Sequence, residues 1–316
     1  MQIPIKRPPH AIALTHTARC ERTLTVKVFD FPFPIEIGSV CDLDFAQDGT
    51  VLSIQGSESQ QVVIWGEKRL MLPEAWSSPE YPFIRYLHDG RILLVDTSFR
   101  AARGKNAWIM DSRGTVQVHF ELGSAAVEIS SLWGLIAVAF HPISAKANGH
   151  QVQPIQRTGV AFFDTSGRLL MGFNQEAARY GMTVENVRCM APISRSQLLF
   201  VPERLTVKGV EVENPVVVFD CASRRPTAYS APFPGAEAIS MAGGEIHLAS
   251  PESWEDQIIT FDVESKISQH RGEFLGIFRG LEGGAFLAQL SSADYAVVTP
   301  GPIDSSLKNP RPTQEL

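Results

Sequence analysis

The sequence predicts an all-β chain in which one four-stranded unit is repeated six times, a six-bladed β-propeller. The first observation is a recurring hairpin. "NAWIMDSRGTVQVHF" (106–120) returns as "GVAFFDTSGRLLMGF" (159–173), "PVVVFDCASRRPTAY" (215–229) and "QIITFDVESKISQHR" (257–271), with Asp111, Asp164, Asp220 and Asp262 in register. "QVVIWGEKRLMLPEA" (61–75) repeats the pattern with Gly66 at that place. Each copy is a short β-branched or aromatic run, a turn residue and a second, shorter strand. The second observation is another hairpin ahead of each of these, with turns at Asp48-Gly49, Asp89-Gly90, Trp133-Gly134, Arg195-Ser196, Gly243-Gly244 and Gly283-Gly284. The third is that long helical patterns with caps are missing, which disfavours α/β folds.

Taken in order, "TLTVKVF" (23–29) is a strand with no hairpin partner of its own. The turns that follow stand 41, 44, 62, 48 and 40 residues apart, so repeats three and four carry insertions. Asp-Gly and Gly-Gly suit a two-residue type I′ turn, which needs positive φ at both central positions; the Trp133 and Arg195 turns alone depart from that chemistry. The last repeat stops at Pro300-Gly301-Pro302 without an outer strand. The N-terminal strand is therefore expected to complete blade six and join the chain ends, because radial repetition works only as a closed ring. The expected organisation is a single domain over 1–316: a closing strand and lead-in at 23–37, blades at 38–300, and an irregular tail at 301–316.

Asp111 and its copies read as turn chemistry. An Asp opening a turn, with Gly three residues later as in Asp111/Gly114 and Asp164/Gly167, caps the turn through its own carboxylate. Four such residues on separate blades stand too far apart to share an ion.

Composition bounds the rest. A net charge of −6 over 316 residues argues against the concentrated basic face that nucleic acid requires. No stretch approaches the roughly 20 apolar residues that span a bilayer, and the Pro-interrupted N-terminus lacks a signal-peptide core. Cys20, Cys41, Cys189 and Cys221 lie far apart with no CxxC, as expected for free thiols in a reducing compartment. The expected setting is cytoplasmic, as a monomer or heterocomplex.

The blade order then sorts residues onto two faces. With strands named A to D from the channel to the rim, the A–B and C–D turns share one face and the B–C and D–A connections the other. The first set is two to five residues long. The second includes 72–81, 98–105, 141–157, 174–185, 203–214 and 251–256. Binding residues concentrate on long loops held by a rigid scaffold. The candidate partner-binding residues on that face are Trp76, Tyr81, Arg100, Arg103, Lys105, His141, His150 and Trp254, since exposed Trp, Tyr and Arg anchor protein interfaces. Trp76 and Trp254 have a plainer reading, in which they pack their own loops onto the blades.

Strand A of each blade contributes charge to the channel: Asp42 and Asp44 from blade one, Arg85 from two, Glu128 from three, Arg188 from four, Glu237 from five and Arg279 from six. The alternating signs predict a self-neutralising network, with a polar funnel for a small anion or carbohydrate as the alternative. No GxSxG, HExxH, P-loop or GxGxxG is present, and His141 with His150 makes a poor metal site without a further ligand. No catalytic residue, metal ligand or cofactor site is assigned.

The repeated hairpins resemble the broad propeller class that includes YVTN, NHL and gluconolactonase-like proteins, together with bacterial propellers of unassigned function. The resemblance spans nearly the whole chain and implies the fold; WD40 and kelch signatures are missing. For bacterial propellers it implies service in complexes, including neutralisation of a partner enzyme or toxin. For gluconolactonase-like members it implies a divalent cation held in the channel by Glu, Asn and Asp. Here Glu128, Asn186 and Glu237 are the nearest counterparts, and three arginines on the inner strands oppose such an ion. A non-catalytic scaffold that binds a protein partner is thus the leading expectation, ahead of a cation-dependent lactonase or hydrolase and of a carbohydrate or small-ligand binder.

Overall fold

A computed structural model describes residues 24–30, 39–45, 49–57, 60–76, 81–97, 104–123, 125–140, 154–251, 255–290 and 294–301. They form six antiparallel sheets arranged as a six-bladed β-propeller. In chain order, β1 is Leu24–Asp30; blade one is β2 (Ser39–Phe45), β3 (Val51–Ser57), β4 (Gln60–Trp65) and β5 (Lys68–Leu70). Blade two is β6 (Pro82–Tyr86), β7 (Ile92–Asp96), β8 (Ala107–Met110) and β9 (Val116–Phe120). Blade three is β10 (Ala126–Leu132), β11 (Leu135–Phe140), β12 (Val160–Asp164) and β13 (Leu169–Gly172), followed by the short helix α1 (Phe173–Ala177). Blade four is β14 (Met182–Ser194), β15 (Gln197–Val207), β17 (Pro215–Asp220) and β18 (Arg225–Ser230), with β16 (Val210–Val212) added to β15. Blade five is β19 (Ala238–Ala242), β20 (Glu245–Ala249), β21 (Gln257–Asp262) and β22 (Ser268–Glu273). Blade six is β23 (Ile277–Gly280), β24 (Phe286–Gln289) and β25 (Asp294–Pro300), closed at its rim by β1. The closing strand pairs over its full length, from Leu24 opposite Pro300 to Asp30 opposite Asp294.

Blade strands are apolar on both sides because each sheet is covered by a neighbour on either side. In β7, Leu93 and Val95 pack towards blade three while Ile92 and Leu94 pack towards blade one. In β11, Ile136, Val138 and Phe140 face blade two, and Ala137 and Ala139 face blade four. Among the described residues the buried side chains fall into clusters that each bridge two adjacent blades, and the cluster of Val40, Leu43, Val51, Leu287 and Tyr295 closes the ring between blades one and six. Phe173 of α1 enters the seam between blades three and four, edge-on to Phe200 and Phe219 at 5.0 and 5.3 Å.

The turns carry the expected Asp chemistry with two refinements. Asp111 Oδ1 accepts from the amides of Arg113 and Thr115, and Asp164 Oδ1 from those of Ser166 and Arg168. The Thr115 and Arg113 amides hold the Asp111 carboxyl below the usual carboxylate range; at Asp164 burial pushes up, but the Ser166 hydroxyl and the two amides outweigh it and hold the carboxyl low. Of the inner turns, Gly243-Gly244 (57° and 86°) and Gly283-Gly284 (82° and 83°) both have the two positive φ values expected of their glycines. At Asp89-Gly90 only Gly90 does, because the Leu87 amide bonds the Arg91 carbonyl and the turn takes in His88 as a third residue.

Segment 203–214, expected as a loop, is largely strand. β14 and β15 pair outward to Met182 opposite Val207, and β15 then doubles back at Lys208-Gly209 onto β16, with Leu205 opposite Val212. "LTVKGVEV" is a hairpin in its own right: apolar residues alternate on either side of a turn in which Lys208 and Gly209 both take positive φ.

Candidate functional site

Five of the seven predicted channel charges meet. Arg85 pairs with Asp42 and, at 2.8 Å, with Glu128; Arg279 pairs with Asp42 at 2.6 Å, Asp44 at 3.4 Å and Glu128 at 3.9 Å. The side chains of this group are all nearly buried. Backbone bonds complete it. The amides of Ile84 and Tyr86 donate to Asp42 and Asp44, Arg85 donates to the Ile129 carbonyl, and Arg279 to that of Leu43. Each of these crosses from one blade to the next. Burial would lower the Arg85 pKa, but Asp42, Glu128 and Asp44 raise it; Asp44 is itself pushed up by loss of water, against the pull of Arg279 and Arg85. Glu128 Oε1 accepts from Arg85 and has Arg279 at 3.9 Å, so two guanidiniums flank the carboxylate that a channel metal ion would need.

Arg188 and Glu237 do not join, which corrects the expected ring of alternating charges. Strand A carries a β-bulge in blades one, three, four and six, with the register shifting between Val40 and Asp42, Ala126 and Glu128, Val187 and Cys189, and Ile277 and Arg279. The residue after the bulge is Asp42, Glu128 or Arg279 in three blades and Cys189 in the fourth. Arg188 sits on the bulge itself, and a bulge re-aims the side chain it carries. It is part-exposed against Gly235, with Glu203 at 3.9 Å. Glu237 precedes β19 and is exposed. Asn186 gives its side-chain amide to Glu203 at 2.7 Å. Glu128, Asn186 and Glu237 therefore have separate partners or surroundings, and among the described residues no three His, Cys, Asp or Glu side chains gather as a metal site.

On the long-loop side, Arg188 and Glu203 line a cleft of about 350 Å³ with Glu211, Glu213 and Asn214 of the blade-four extension. The extension is braced by ion pairs from Arg204 on β15 to Glu185 on β14 at 3.1 Å and to Glu211 on β16 at 3.3 Å. Lys208, Gly209, Val210 and Glu211 are exposed at its end, Val210 at 69%. Among the predicted partner-binding residues, Lys105 is exposed and Tyr81 half-buried. Trp76 is half-buried, edge-on to Trp108 at 5.5 Å, and donates to Gln61 Oε1 at 2.8 Å; it follows the plainer reading and anchors its own loop. Arg100, Arg103, His141, His150 and Trp254 lie outside the described residues. Among the described residues, no helix is long and apolar enough to cross a membrane.

No family model matches the chain, and no curated protein does. Solved structures that resemble it are β-propellers. U3-55K shares 12% identity at a TM-score of 0.52, covering 84% of this chain and 78% of that one. Virginiamycin B lyase from Staphylococcus aureus shares 12% identity at 0.49, covering 87% and 99%, and a streptogramin B lyase 12% at 0.48, covering 90% and 100%. At this identity the likeness speaks to fold alone.

Proposed function

We propose that the chain is a non-catalytic propeller scaffold that binds a protein partner through its long-loop face. The blade-four extension carries the reading. Blade closure does not require β16: β15 already pairs with β17 through Gln197–Phe200. The extra strands add an exposed, ion-pair-braced element ending in Lys208, Val210 and Glu211, beside a polar cleft. A braced surface loses little conformational freedom on association, which favours its use as a contact. The buried channel charges pair across blade junctions, and that supports a role for them in holding blades together rather than in chemistry. Lys105, Tyr81, Arg100, Arg103, His141, His150 and Trp254 belong to the same proposed surface. Neutralising or assembling with a partner enzyme is the class of role that fits.

The test is co-purification at native expression level with Lys208→Glu/Val210→Asp and with Arg100→Glu/Arg103→Glu. A stoichiometric partner should be recovered with the parent chain and lost with these variants at unchanged Tm. Retention of the partner through all such variants would place the interface elsewhere.

A further inference from the structure

The opposite face carries a feature that turn formation does not explain. Three successive A–B turns each contribute one side chain to a stack: His88 from blade two, Trp133 from blade three and Arg195 from blade four. The Trp133 and His88 rings are stacked with centroids 5.3 Å apart and planes at 24°. The Arg195 guanidinium carbon lies 3.8 Å from the Trp133 ring centroid. Trp133 still leaves 43% of its surface to water, and Arg195 is exposed.

Hairpin geometry asks for none of this. The Trp133-Gly134 turn obtains its positive φ from Gly134, and neither Arg195 nor Ser196 has one. Three arginines on turns of this face, one A–B and two C–D, have carboxylate partners: Arg91 with Asp89 at 2.5 Å, Arg168 with Asp164 at 3.1 Å and Arg224 with Glu176 at 2.9 Å. Among the described residues Arg195 has no such partner, only the Trp133 ring. A guanidinium carbon 3.8 Å from an indole centroid is in cation–π contact with the ring, and its N–H donors still suit a carboxylate.

The geometry points to a second docking site, on the short-turn face, that takes an acidic protein segment: a carboxylate on Arg195 with an adjacent apolar side chain on the exposed part of Trp133. Trp and Arg side by side, fixed by neighbours, are the residue types that dominate protein interfaces. The site stands independently of the long-loop reading.

The probe is the peptide Ac-Gly-Leu-Glu-Phe-Glu-Gly-NH2, titrated against the full chain while the indole N–H signals of its five tryptophans are followed by NMR and Trp133 is assigned with W133F. The Trp133 signal should shift saturably. Replacing both Glu by Gln, or Arg195 by Glu, should weaken binding about tenfold or more, as expected for losing a charge-assisted fork. Lys208→Glu/Val210→Asp should leave it unchanged. Equal shifts with the Glu and Gln peptides, or undiminished binding by R195E, would overturn the proposal. Tighter binding of oligothymidylate would do so too, in favour of a base-stacking platform. Lack of any peptide effect, with W133A costing as much Tm as a core truncation, would leave the stack as a brace between blades and nothing more.

Discussion

Arg279 of blade six and Asp42 of blade one, 237 residues apart, meet as an ion pair with Nη2 and Oδ1 2.6 Å apart. The ring is thus closed twice. At the rim, β1 completes the sheet of blade six by main-chain pairing. At the channel, Arg279 spans the blade-six/blade-one junction through Asp42 and the Leu43 carbonyl.

Arg279→Ala should accordingly be costly. It takes the ion-pair partner from Asp44 and leaves three nearly buried carboxylates, Asp42, Asp44 and Glu128, with Arg85 as the one cation of the group, and breaking one partner of a buried charge group typically costs about 3–5 kcal/mol. Arg188→Ala is the matched control. Its side chain is 37% exposed with Glu203 3.9 Å away, so solvent screening holds the loss to roughly 0–1 kcal/mol. Urea unfolding of the two variants measures the contrast; equal midpoints would mean that the channel network does not lock the ring.

Gly280 makes a sharper steric prediction. A Cβ there would lie 1.6 Å from the Ile239 carbonyl oxygen and 2.9 Å from the Ala191 Cβ, where blades four, five and six crowd together at the channel. Main chain cannot yield as a side chain does, so Gly280→Ala should abolish folding or lower the Tm by tens of degrees. Gly209→Ala supplies the comparison. It has positive φ but open space around it, so it should cost only about 1–2 kcal/mol. Calorimetry of both variants separates crowding from backbone strain.

These residues also mark what the sequence made legible. Asp111 and Gly114 announce their turn because its chemistry is local, and the six A–B turns, 40 to 62 residues apart, suffice to count blades. That Arg279 and Asp42 would meet was suggested by their alternating charge. That Arg188 would not was hidden by a bulge, which moves a side chain without changing hydrophobic pattern. β16 was missed because its assignment followed from the blade period, which left Glu203–Asn214 over as a loop although Lys208-Gly209 sits between alternating apolar residues. The His88–Trp133–Arg195 stack joins residues 88, 133 and 195, from three successive blades. Only the odd turn chemistry at Trp133 and Arg195 hinted at it.

Buried His247 should make stability pH-dependent. Burial holds its pKa down to about 4, with Glu245 opposing and Arg271 assisting, and its Nδ1 lies 2.7 Å from Thr260 Oγ1. In the unfolded chain a histidine titrates near 6.5. Between those values the unfolded state binds the extra proton, so stability contributed by neutral His247 is complete above about pH 6.5 and is lost as pH falls towards 4. The loss amounts to roughly 3 kcal/mol at the acid end of that window. Asp44, with its pKa raised, acts in the opposite sense in acid, so the total slope is smaller. His247→Gln should flatten the fall in urea midpoint between pH 6.5 and 4.5; an unchanged slope would assign the acid sensitivity to other groups.

The thiols give a last check on how tightly the blades pack. Cys189 and Cys221 are buried and Cys41 is partly so, all three as thiols rather than disulfides. Burial, helped by neighbouring Asp42 and Asp220, pushes the Cys41 thiol up to about 11 and that of Cys221 to about 12. The thiolate is the reactive species, so both should be inert at pH 8, and Cys189 is closed off within the apolar seam between blades four and five. Cys20 lies outside the described residues, so the experiment uses Cys20→Ser. In that variant a disulfide reagent should titrate no thiol rapidly in the folded protein and three in guanidinium. A thiol that reacts within seconds in the folded state would show that its seam opens, and protection restored by tightening that seam would identify which one.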